Sequence, residues 1–132
     1  MIVQYRNNQN KHDPMNGRAI ADGMQLTELL DKRRNETPFI AELRGGNDFE
    51  LVFGIGPDLC FVEHRRINGD LPYLMAISPH PPIATGLVEF LTANTPTPIV
   101  ARYILNFDEL KQIALHFLDT GERSPSVSWE PI

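Results

Sequence analysis

Between Pro38 and Ser78 apolar and polar residues alternate, the two-residue period of strands that bury one face. Pro38–Arg44 alternates and runs into Gly45-Gly46, and Asp48–Gly54 sets Phe49, Leu51 and Phe53 against Glu50 and Val52. Leu59–His64 follows the turn Gly54-Ile55-Gly56-Pro57-Asp58, and Leu71–Ser78 follows Asn68-Gly69-Asp70. Connections this short impose antiparallel pairing, because parallel neighbours need crossovers of about a dozen residues. Ser78-Pro79-His80-Pro81-Pro82 reads as a stiff loop. Further strands are predicted at Leu87–Thr92, at Ile99–Leu105 after Thr95-Pro96-Thr97-Pro98, and at Ser126–Glu130.

Two segments change to the helical period. From Asp22, the side chains of Leu26, Leu29, Leu30 and Arg33 share a face, with Asp22 or Thr27 as cap, and Pro38 stops the helix. In the second, Asn106 caps with Glu109 three residues on, and Phe107, Leu110, Ile113, Ala114, Phe117 and Leu118 form an apolar stripe ending at Thr120-Gly121. Residues 1–17 are polar and read as an arm or a short strand followed by a loop; 18–21 read as a short strand. The predicted fold is α+β, one domain over 1–132: an antiparallel meander sheet of five to seven strands with two helices packed on one face.

At 132 residues and 42% hydrophobic, the chain can bury roughly two-thirds of its unfolded surface without staples. The one cysteine excludes a disulfide scaffold and fits a reducing cytoplasm. The opening residues turn polar after three positions, unlike a secretory leader, and no apolar run approaches the roughly 20 residues of a membrane span. No membrane partner is expected. The net charge of −5 divides into +2 over residues 1–34 and −7 beyond them. The only basic run, Lys32-Arg33-Arg34, reads as a solvated last helical turn, so nucleic acid is not an expected partner and a basic protein is.

No motif for catalysis or a cofactor stands out. The four histidines (His12, His64, His80, His116) lack metal-ligand spacing, Cys60 reads as a strand residue, and Gly54-Ile55-Gly56 lacks the third glycine and helix of a dinucleotide site. A small hydrolase using His64 with nearby carboxylates is a remote reading. No metal or cofactor is expected. The alternation places Phe39, Ala41, Leu43, Phe49, Leu51, Phe53, Leu59 and Phe61 toward the helices. It leaves Ile40, Glu42, Glu50, Val52, Cys60, Val62 and His64 on the opposite face. That face is either a protein-binding surface or is covered by the N-terminal arm or the proline loop.

The C-terminal stretch carries Phe117, Thr120, Gly121, Arg123, Pro125, Trp129 and Glu130. It resembles the end of immunity protein family 1 of bacterial polymorphic-toxin systems, an amphipathic helix ending Phe-x-x-Thr-Gly-x-Arg-Pro and a strand ending Trp-Glu. Ser124 departs from that pattern and moves the proline one position on. Leu51–Phe61 resembles the family's strand, Gly-x-Gly turn and strand, and Gly69-Asp-Leu-Pro-Tyr73 its entry to the next strand. The resemblance spans about residues 20–132. It implies a cytoplasmic inhibitor, not an enzyme, that binds a cognate toxin, often a nucleic-acid deaminase and basic near its cleft. Candidate toxin contacts are Glu50, Asp58, Glu63, Asp70, Tyr73 and Glu89, while Phe117, Gly121, Pro125 and Trp129 form a structural signature. A small acidic secretion chaperone or adaptor is the alternative.

Overall fold

The computed structural model describes residues 1–132. The strands are β1 (Val3–Asn7), β2 (Ala19–Ile20), β3 (Phe39–Arg44), β4 (Phe49–Ile55), β5 (Phe61–Arg66), β6 (Leu74–Ile77), β7 (Leu87–Thr92), β8 (Thr95–Val100) and β9 (Ser128–Pro131). Helix α1 (Gly23–Arg33) precedes β3, and α2 (Phe107–Thr120) precedes β9. The main sheet runs β2-β1-β3-β4-β5-β6-β9 with every neighbour antiparallel. Both helices cover one face over a core of 23 buried side chains. The fold class is the one the periodicity predicts, with nine strands in place of five to seven.

Local chemistry sets the helix ends. Asp22 caps α1 by accepting from the Gln25 backbone N–H, at 2.9 Å. Asn106 and Glu109 form a reciprocal capping box on α2. Gly121 ends α2 with φ of 74°, where a side chain would be strained and would strike the Asn47 amide.

Of the two readings of residues 1–17 the short strand followed by a loop holds, and β1 lies inside the sheet between β2 and β3. Three expectations need correction. The predicted strand Ile99–Leu105 is displaced. Thr95-Pro96-Thr97-Pro98 is itself most of β8, Ala101–Tyr103 is a 3-10 turn, and only Leu105 bridges, to Cys60. Two prolines fit β8 because it is an edge strand paired on one side only, where a missing N–H breaks no ladder bond. The turn before it uses Ala93 and Asn94, both with positive φ, without the glycine that usually advertises such a turn.

The second correction concerns β5. Its register pairs Phe53 with Val62 and Leu51 with His64, so Cys60, Val62 and His64 face the helices and Phe61 faces away, the reverse of the expected assignment. Gly54 is the cause: opposite Phe61 it has no side chain, and the rings of Phe61 and Phe90 fill the space its Cβ would occupy. Third, neither the arm nor the proline loop covers the opposite face. The β7–β8 hairpin does, attached through the parallel bridge of Phe39 with Leu91. Phe90 and Ile104 bury against Ile40, Val52, Phe61 and Met75 in a second core of six residues.

Candidate partner-binding surface

The hairpin leaves the remainder of the outer sheet face open, and there strand register assembles charges. Gln4, Arg44, Glu50 and Arg65 follow one another across β1, β3, β4 and β5. The next row reads Arg6, Glu42, Val52, Glu63, Met75 and Glu130. Opposite charges thus face each other across strands, an arrangement that stabilises sheet pairing. The alternation Glu42-Leu-Arg44 and Glu63-His-Arg65 carried this signal in the sequence, yet only the register reveals the lattice.

The lattice is layered. Side-chain exposure is 62%, 43% and 34% for Arg6, Arg44 and Arg65, against 10%, 4% and 14% for Glu42, Glu50 and Glu63. The carboxylates form a floor and the guanidinium groups a roof. Pairing across it is loose: Arg6 and Arg44 each stand 3.9 Å from Glu42, and Arg65 stands 3.8 Å from Glu50 and 3.4 Å from Glu63. Glu50 Oε2 is buried with no hydrogen-bond partner. Burial raises the pKa of Glu50, with Glu42 adding to it and Arg65 opposing; burial likewise raises Glu63 against the pull of Arg65. Beside Glu63, Met75, Ile99, Val100, Tyr103 and Ile132 line an apolar groove of about 390 Å³ between β8 and the main sheet.

Of the predicted contacts, only Glu50 and Glu63 are brought together, through Arg65. Asp70 and Tyr73 share the β5–β6 connection, where Asp70 is tied to Asn68 and the Tyr73 hydroxyl donates to Gly69 O at 2.6 Å. Asp58 is exposed on the β4–β5 turn near the start of α2, and Glu89 is exposed on β7. The six residues do not form one patch. Sequence reasoning missed the arginine partners Arg6, Arg44 and Arg65. It also missed the pair of Arg102 with Glu130, a bidentate contact at 2.9 and 3.0 Å joined by the Tyr103 hydroxyl at 2.8 Å.

The signature residues gather at the other face. His64 stacks on Phe49 at 4.8 Å and meets the edges of Phe117 and Trp129. Trp129 Nε1 donates to the Ser124 carbonyl at 2.9 Å, and Asn47 donates to the Gly121 carbonyl at 3.0 Å, which clasps the end of α2 to β9 and the β3–β4 turn. Ser124, the departure from the family pattern, is buried and its hydroxyl accepts from the Ser126 N–H. Pro125 lies exposed beside it. Burial lowers the pKa of His64, and its Nε2 has no hydrogen-bond partner. The ring serves as packing within this clasp. Burial pushes the Cys60 thiol up to about 11. No group of three or more His, Cys, Asp or Glu side chains is placed to hold a metal ion, and no helix is long and apolar enough to cross a membrane.

The Lys32-Arg33-Arg34 run is not a solvated turn. Arg33 grips Asp13 with two hydrogen bonds, of 2.9 and 2.7 Å. Arg34 lies 3.8 Å over the Phe107 ring and donates to the Pro57 carbonyl. Two of the three basic groups are therefore spent on the fold.

These features define an α+β protein whose distinctive chemistry is a charge lattice and groove on an open sheet face. The chain belongs to the Imm1 family: the family model for immunity protein Imm1 matches residues 14–131, from the loop before β2 through β9. Strand β1 and Asp13 precede the matched region. No curated protein matches the chain.

Proposed function

We infer that this protein neutralises a cognate bacterial toxin by binding its toxin domain and blocking the active site. The toxin we have in mind belongs to a polymorphic-toxin system and acts on nucleic acid, as a deaminase does. The observation that carries the reading is the family match across both helices and eight of the nine strands. Catalysis by this chain has no part in it, and the site of action is the cytoplasm of the producing cell.

The charge distribution supports a basic partner. Asp58, Asp70 and Glu89 are exposed and make no ion pair, so they are available to steer a positively charged toxin. Glu50 and Glu63 lie beneath arginines and act at close range, after docking. Tyr73 adds an aromatic rim beside Asp70. Co-expression with the toxin encoded beside it tests the reading. Cells are expected to survive only when this protein is present, and association is expected to slow as salt screens the exposed acids. Continued killing at full expression of the protein would refute it.

A further inference from the structure

The groove beside Glu63 has a composition that selects its occupant. Its walls are Met75, Pro98, Ile99, Val100, Tyr103 and Ile132, and its one charged side chain is Glu63. The geometry points to the side chain of a lysine or arginine from the toxin, its stem along the apolar walls and its cationic head on Glu63. This rests on the immunity reading for the source of that side chain.

Three observations carry it. Glu63 is under-served: its one cation is Arg65, 3.4 Å away, and that guanidinium also answers to Glu50 at 3.8 Å. Arg65 is thus divided between two carboxylates, and Glu50 Oε2, across the strands from it, is buried without a partner. The next guanidinium along, Arg102, is committed to Glu130 in a bidentate pair that also takes the Tyr103 hydroxyl. The protein therefore has no second arginine free to complete Glu63. Finally, an apolar channel ending in a carboxylate suits neither a hydrocarbon, which would bury the charge unpaired, nor an acid, which it repels. A long side chain with an apolar stem and a charged head fits both parts. A guanidinium adds the option of two parallel hydrogen bonds.

N-butylguanidinium carries the same stem and head, and Met75, one of four methionines, reports on the groove through its methyl resonance. Adding the probe to the full chain at low salt is expected to shift that methyl saturably in the wild type and in Arg65→Gln, and to leave it unmoved in Glu63→Gln. In calorimetric titrations with the neighbouring-gene toxin domain, Glu63→Gln is expected to weaken binding about ten-fold or more. Cooperative unfolding transitions establish that the variants are folded. A methyl that stays still in the wild type overturns the inference, as does a toxin that binds Glu63→Gln at wild-type strength. In the latter case the immunity reading survives and the groove assignment falls. A wild-type protein that binds no toxin removes the reading and the toxin as occupant together. A Met75 shift that follows protein concentration without probe marks a second copy as the occupant and also overturns it.

Discussion

Two regions of this molecule bury carboxylates beside arginines and treat them in opposite ways. On the helix side, Asp13 is closed from every direction. It accepts from Arg33 twice, from Tyr5 at 3.1 Å, from Asn7 at 3.0 Å and from the Met15 N–H at 2.9 Å. Burial alone would raise its pKa, but the bonds from Arg33 and Asn7 outweigh that and hold it down to about 2. On the outer sheet face, Glu50 is just as inaccessible, yet its nearest cation stands 3.8 Å away and one oxygen has no partner. A saturated carboxylate fixes structure, whereas an unsaturated one stores an interaction that a partner can complete. The first ties the N-terminal loop and α1 together; the second lies on the surface we assign to the toxin.

Breaking the closed site should have the largest effect. Asp13→Ala leaves Arg33 only Glu36, at 3.6 Å, strips Tyr5 and Asn7 of their carboxylate, and is expected to cost about 3 kcal/mol in urea unfolding, a large part of the stability of a domain this size. Acid probes the same site more gently. The folded-state pKa of Asp13 lies below its unfolded value, so its contribution is complete above about pH 4 and is lost as pH falls toward 2. Roughly 2 kcal/mol of wild-type stability should disappear across that window, and the loss should be absent in Asp13→Ala. An equal acid dependence in both proteins would show that Asp13 is not the group responsible.

The open site should respond with the opposite sign. Glu50 and Glu63 have raised folded-state pKa values, so protonation favours the fold. The stability they contribute is present at low pH and is lost as pH rises through those values. Glu50→Gln is accordingly expected to stabilise the free protein at pH 7 by about 1 kcal/mol, with the gain vanishing in acid. A destabilised variant at pH 7 would mean that the lattice is structural and would erase the contrast. The smallest effect is expected at Arg102 and Glu130, where exposure makes even a bidentate pair count for little. Arg102→Ala should leave the unfolding midpoint nearly unchanged.

What was legible in the sequence follows the range of the forces involved. Both helix caps, the αL glycine and the cores of β3 and β4 depend on residues within a few positions of one another, and they fall where the pattern places them. The Phe117-to-Trp129 signature was readable as a family resemblance, but not as a clasp around His64. Strand β8 was hidden because its prolines are acceptable only on an edge, and an edge is a property of the finished sheet. Phe61 was turned to the wrong face because Gly54, its cross-strand neighbour, decides which side has room for the ring. The charge lattice was out of reach for the same reason. Glu50 meets Arg44 and Arg65 only once three strands are in register, and Arg33 meets Asp13 only when a loop 20 residues away folds back. The outer face, a mixture of apolar and acidic residues in the sequence, is thus a layered one, arginines outside and carboxylates beneath.

The central claim is neutralisation by binding. Its most direct test is to titrate this protein into the purified domain of its cognate toxin while following that toxin's activity. Activity is expected to fall linearly and reach zero at one equivalent. A toxin that stays fully active in molar excess of this protein would contradict the account.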